Sequence, residues 1–170
     1  MSNYDRITRK CAVSQLRPEL RKAVHDYFNE QLLGDPETLP SCYETISERK
    51  STSKWISWLA DQPDRIIHTA MLLTPERLIW VRRGDRSETV VTSANLTNIQ
   101  VKVYASWLTK DAGLEVSGFI EGSKGRVRGY LGMESEAIAQ HFYDEVKQAI
   151  DKVNPLRRWK IPGWLGGDRE

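Results

Sequence analysis

Three histidines, His25, His68 and His141, and two cysteines, Cys11 and Cys42, are the side chains of this 170-residue chain best suited to metal or nucleophilic chemistry. A metal site needs clustered ligands at fixed spacing, and the sequence holds no HxH, HxxxH or HExxH pair and no CxxC. His68 shares strand parity with Ile66, Ala70 and Leu72, which predicts a half-buried, hydrogen-bonded histidine, and His25 and His141 fall on predicted helix surfaces. No GxSxG is present, and Cys11 has no histidine near it in sequence. Distant residues can still meet in a fold, so a triad assembled in space stays open. Glu44 and Glu48, four apart on a predicted strand, stand on one face and read as solvated surface; without a cleft they are no glycosidase pair. Catalytic residues, metal ligands and cofactors are therefore all left unassigned.

Binding chemistry is better represented. One basic group, Arg82, Arg83 and Arg86, surrounds a predicted hairpin tip, and a second, Lys124, Arg126 and Arg128, surrounds another. Lys50 and Lys54 precede Trp55. Arg126 and Arg128 share parity opposite Val127, so both should point away from a core, and guanidinium forks suit phosphate or carboxylate. The plainer reading is that these are solvated charges which discourage sheet-to-sheet aggregation. Gly122, Gly125, Gly129 and Gly132 do not spell GxGxxG and read as turn and packing glycines. Arg83-Gly84-Asp85 reads as a hairpin tip.

The last residues interleave cations with indoles: Arg157, Arg158, Trp159, Lys160 and Trp164. Such a segment can lie at a membrane interface, stack on single-stranded nucleic acid, insert into a neighbouring subunit, or pack on its own chain. From residue 154 onward there are four cations against two acids, too few for firm membrane attachment at about 1 kcal/mol per basic residue.

The whole chain is 39% hydrophobic and 28% charged, with a formal net charge of +2, which is globular composition rather than that of a strongly basic nucleic-acid domain. Two cysteines are too few for a secreted disulfide framework. The first ten residues are not followed by an apolar h-region, and the longest mainly apolar stretch, Ile66 to Leu73, is far short of a membrane span. These features predict a cytoplasmic protein, with a peripheral membrane location as an option and no transmembrane segment.

Elements that would position these side chains follow from periodicity. Leu20, Val24, Tyr27, Phe28 and Leu32 recur three and four apart and predict an amphipathic helix from Pro18 to Leu33, with Gly34 supplying the left-handed end. The period then changes to two. In Asn98 to Tyr104, Ile99, Val101 and Val103 face one way while Asn98, Gln100, Lys102 and Tyr104 face the other. Similar runs are Cys42 to Glu48, Ile66 to Leu73, Arg77 to Arg83, Glu88 to Thr92, Leu114 to Ile120 and Arg126 to Leu131, about seven strands in all. Their short connections favour antiparallel neighbours. A helical turn is predicted over Ser53 to Ala60. Ser135 should cap a helix with the face Ile138, Phe142, Val146, Ala149, Ile150 and Val153, ending near Asn154-Pro155.

This order, about seven antiparallel strands followed by one amphipathic helix, resembles the pleckstrin-homology-like superfold. Leu72-Leu73-Thr74-Pro75-Glu76-Arg77-Leu78-Ile79 resembles the "LLT, two residues, RLI" hairpin of bacterial PH-like (PH/GRAM-like) domains. Leu96 to Val101, Gly113 to Gly118 and the helix from Glu136 fall where that family would place them. The resemblance implies an α+β, mainly β fold, an antiparallel barrel or sandwich capped by the C-terminal helix. It divides the chain into an N-terminal helical extension (1–40), a PH-like domain (41–153) and an aromatic, basic tail (154–170). It carries no catalytic signature.

The expected function is non-catalytic binding or assembly, with a protein segment, a second copy of the chain or an anionic lipid headgroup as partner. Arg82, Arg83, Arg86, Lys124, Arg126 and Arg128 are the candidate ligand contacts, and Trp159 and Trp164 the candidate partner contacts. Two rival classes are kept. One is a small-molecule enzyme whose cleft gathers His68 with carboxylates. The other is a nucleic-acid binder acting through the tail, which the charge distribution fits less well.

Overall fold

The computed structural model describes residues 4–40, 42–50, 64–106 and 111–154. Eight strands form two antiparallel sheets. The first contains β1 (Tyr4–Lys10), β2 (Cys42–Arg49), β3 (Ile66–Leu73), β4 (Arg77–Gly84) and β5 (Val90–Asn95) in that spatial order, and the second contains β6 (Ile99–Ala105), β7 (Ala112–Phe119) and β8 (Arg126–Met133). Helix α1 (Pro18–Glu30) follows β1, and α2 (Glu136–Val153) follows β8. The sheets do not close into a barrel: among the described residues no strand pair joins them. Side chains bridge the gap instead. Thr8 and Glu134 exchange hydrogen bonds (2.9 and 3.0 Å), and Arg6 pairs with Asp111 at 2.6 Å.

Two apolar layers account for this arrangement. Between the sheets lies a core that includes Met71, Leu78, Leu114 and Met133, covered by Phe142, Val146 and Ile150 of α2. Ile99 is buried in it, with Val101, Val103 and Ile138 packed against it, so α2 covers the strand face that its periodicity anticipated. On the opposite face of the five-stranded sheet, Leu20, Val24 and Phe28 of α1 pack on Cys42, Ala70, Leu72, Ile79 and Val81. β3 and β4 are consequently buried on both faces along most of their length. β6 keeps the alternation of a strand with one covered face.

The Thr74-Pro75-Glu76 turn has a local cause. Thr74 Oγ1 accepts the Arg77 N–H at 2.9 Å, and the Arg77 guanidinium reaches Ser93 and Glu121, tying the β3–β4 turn to the start of the β7–β8 connection. Ser135 caps α2 through the Ile138 N–H, as its position suggested.

Several expectations are corrected. Among the described residues there are eight strands where about seven were expected, because Tyr4–Lys10, expected only as part of a helical extension, pairs along its full length with β2. Its one aliphatic residue, Ile7, is 67% exposed, so this edge strand has no apolar alternation to detect. The strand expected at Glu88 to Thr92 runs from Val90 to Asn95. The first helix ends at Glu30 and turns through Leu32, at φ 54°, rather than through Gly34. The Leu33 N–H bonds Phe28 O and the Leu32 N–H bonds Asn29 O, a Schellman closure with leucine in the left-handed position. The helical turn expected at Ser53 to Ala60, together with Lys54, lies outside the described residues.

Candidate functional site

The outer face of the three-stranded sheet is built by parity. Leu114, Val116 and Leu131 turn inward, so Glu115, Ser117, Phe119, Arg126, Arg128 and Tyr130 turn outward, joined by Gln100, Lys102 and Tyr104 of β6. The register sets them in rows: Phe119 beside Arg126, then Gln100, Ser117 and Arg128, then Lys102, Glu115 and Tyr130. The last row is Tyr104, Gly113 and Gly132. With no side chain on Gly113 between them, Tyr104 and Tyr130 meet edge to face at 5.3 Å. The Arg6 guanidinium lies 5.8 Å from the Tyr130 ring centre and so close to Gly132 that a Cβ there would sit 2.5 Å from its Nε. Any side chain at residue 132 would displace Arg6.

Tyr130 is pinned, its hydroxyl donating to Ala112 O at 2.8 Å, and burial pushes its pKa up to about 12. Beside it opens a shallow cleft of about 370 Å³ lined by Tyr104, Asp111, Glu115, Arg128, Gly129 and Tyr130. Phe119, Tyr104 and Tyr130 are 56, 41 and 39% exposed, a concentration of aromatic surface on one face. The cations around them outnumber the acids. Arg128 approaches Glu115 at 3.4 Å, and Lys102, Lys124 and Arg126 are exposed with no ion pair among the described residues.

The two basic groups named as candidate ligand contacts lie on different sheets. Arg126 and Arg128 share the face just described, with Lys124 in the turn that precedes β8. Arg82 and Arg83 are consecutive on β4 and therefore point to opposite faces. Arg83 donates to Thr89 at 3.1 Å. Arg86 sits in the hairpin turn, where its backbone N–H and those of Ser87 are held by Asp64, whose carboxyl the Ser87 hydroxyl keeps below the usual carboxylate range. Trp159 and Trp164 lie outside the described residues.

A second cluster lies under α1. Glu44, expected on the solvated surface, is 2% exposed: Arg9 binds its Oε2 through Nε (2.9 Å) and Nη2 (2.5 Å), and the Arg17 N–H points at Oε1. The cause is coverage, since α1 and its preceding turn close over the β2 face that an isolated sheet would leave in water. Arg9 also donates to Gln15 O, which ties β1 to that turn. His68 is half-buried as expected, but its Nδ1 is buried without a hydrogen-bond partner. Burial lowers its pKa and the nearby Arg17 charge adds to the effect. Among the described residues no carboxylate is hydrogen-bonded to His68 Nδ1.

A groove of about 480 Å³ runs between α2 and the β3–β4 turn, with Leu73, Pro75, Ala149 and Val153 in its walls and Lys10 paired to Glu145 (2.5 Å) at its rim. Behind that pair the Tyr43 hydroxyl contacts His141 Nδ1 at 2.7 Å and Glu145 at 3.2 Å. Burial raises the Tyr43 pKa, so this phenol holds its proton and serves as a donor joining β2 to α2. Among the described residues no group of three or more His, Cys, Asp or Glu is gathered to hold a metal, and no helix is long and apolar enough to cross a membrane.

Tyr104, Phe119, Tyr130 and Lys102 are not among the contacts expected from sequence. Parity already set Lys102 and Tyr104 on the polar side of β6, but only the three-strand register brings them to the arginines of β8. Comparison of the chain with protein-family models, with curated proteins and with solved structures gives no match.

Proposed function

We propose that the chain is a non-catalytic binding module of PH-like architecture that takes an acidic protein segment on the outer face of its three-stranded sheet. The single observation that carries this reading is the outward row system of Phe119, Tyr104 and Tyr130 set among Lys102, Arg126 and Arg128. Among the described residues no helix packs on that face and only its Tyr130–Gly132 corner meets the Arg6 guanidinium, whereas the five-stranded sheet carries α1 on one face and the inter-sheet core on the other. Exposed aromatics give a partner rigid area to bury, and the excess of cations selects acidic side chains. The PH-like reading is supported by the seven strands β2 to β8, divided four and three and followed by α2, with β1 and α1 as additions to that plan.

A labelled peptide alternating Glu with Phe tests the proposal, against its Lys-Phe counterpart and against phosphatidylcholine vesicles with and without phosphoinositide. The acidic peptide should bind, more weakly as salt rises, and the double variant Arg126→Glu, Arg128→Glu should weaken it by about tenfold, equivalent to about 1.4 kcal/mol. Equal binding of both peptides overturns the proposal. Retention on phosphoinositide vesicles without peptide binding replaces the protein segment with a lipid headgroup, and a doubled mass in light scattering, abolished by the same variant, replaces it with a second copy.

A further inference from the structure

Cys11 and Cys42 are 31 residues apart in sequence but adjacent across the first two strands. The β1–β2 register runs from Tyr4 opposite Arg49 to Lys10 opposite Tyr43, and one further step sets Cys11 opposite Cys42. The Cys11 N–H donates to Cys42 O at 3.0 Å, which makes this a hydrogen-bonded antiparallel pair. Such pairs hold their Cα atoms about 5.5 Å apart, inside the range of about 4.4–6.8 Å that a disulfide spans. Directly opposed residues project to the same side of a sheet, and here both belong to the α1-facing layer.

Their environments differ in a way that assigns roles. Cys11 is half-buried and open to a small reagent, whereas Cys42 is 1% exposed. The Cys42 thiol across the strand pair lowers the Cys11 pKa and the Arg9 charge assists, against the opposing effect of burial. The same contact and its own burial raise the pKa of Cys42. One sulfur is thus the accessible nucleophile and the other a protected partner.

We propose that Cys11 and Cys42 form a reversible thiol–disulfide site, oxidised by a low-molecular-weight disulfide, that clamps β1 to β2 beneath the turn leading into α1. The Cys11 thiolate attacks one sulfur of the external disulfide. Its S–S bond breaks, a mixed disulfide forms, and the expelled thiolate takes up a proton equal to the one Cys11 released. Cys42 then loses its proton and attacks Cys11 Sγ, breaking the mixed bond and releasing the second external thiol. The two protein sulfurs are oxidised and the two sulfurs of the reagent reduced. The clamp closes the loop that contains α1, so the oxidised chain is restrained in its native pairing before it folds.

Glutathione mixtures of graded oxidised-to-reduced ratio, applied to the full chain and quenched by alkylation, test this by intact mass. The expected product has lost two hydrogens, retains no glutathione, accepts no alkylating agent and melts several degrees higher, with dithiothreitol restoring the original melting point. Cys42→Ala should stop at one glutathione on Cys11, and Cys11→Ala should stay unmodified. The folded chain should favour the disulfide by at least about tenfold over the same chain in urea. The wild-type measurements need no variant to fold. A wild-type chain whose two thiols stay alkylatable, a mixed disulfide that persists, or a folded-to-urea ratio of one or less overturns the proposal.

Discussion

Leu32→Gly should stabilise the protein, although it deletes a leucine. Leu32 holds φ 54° at the left-handed position that ends α1, and for a residue with a Cβ this conformation costs about 1–2 kcal/mol. Its side chain is 90% exposed, so almost none of the roughly 1.5–3 kcal/mol available from burying a leucine is lost on replacement. Glycine has more freedom in the unfolded chain, which takes back about 0.4–1 kcal/mol. The net gain is about 0.5–1 kcal/mol, or about 1–4 °C in melting temperature for a chain of this size. Urea titration should show a higher midpoint at unchanged slope. Gly34→Ala provides the opposite sign nearby: at φ 87°, with no atom within 4 Å of an added Cβ, it should lose about 1 kcal/mol through backbone strain alone. A Leu32→Gly protein equal to or less stable than the parent would refute the assignment of strain to the helix terminus.

Phe142, fully buried and 4.7 Å from the Tyr43 ring centre, anchors α2 across the inner core, and Phe142→Ala should cost about 3–5 kcal/mol by denaturant titration. A loss below about 1 kcal/mol would mean that α2 does not cap the sheets. His68 makes stability depend on pH. Because burial lowers its folded pKa, the unfolded chain binds its proton more readily, and stability should fall as pH drops through the ordinary histidine value toward the lowered one. His68→Gln should flatten that slope in the same window, and an unchanged slope would assign the effect to other groups.

Much of the fold was legible because periodicity reports burial. β6 shows its alternation since α2 covers one of its faces and nothing described covers the other, and α2 itself was delimited by its Ser135 cap and its apolar stripe. β1 was not legible, because an edge strand that buries only Thr8 leaves no period to read. Glu44 was misread for a related reason. Its exposure was judged from its own strand, whereas its burial comes from α1 and from an Arg9 supplied by a strand that the pattern had hidden.

The alternating strands, the two amphipathic helices, the Thr74 turn and the outward direction of Arg126 and Arg128 can be read from local sequence, because each depends on neighbours within a few residues. Which distant side chains meet is set by the assembled fold. It separated the Arg82 hairpin from the Arg126 strand, set three aromatics among the cations of one sheet face, and brought Cys11 to Cys42. The physical reason is that strand register is a long-range property: a strand's own pattern says which residues share a face, but only pairing with its neighbours says which residues share a row.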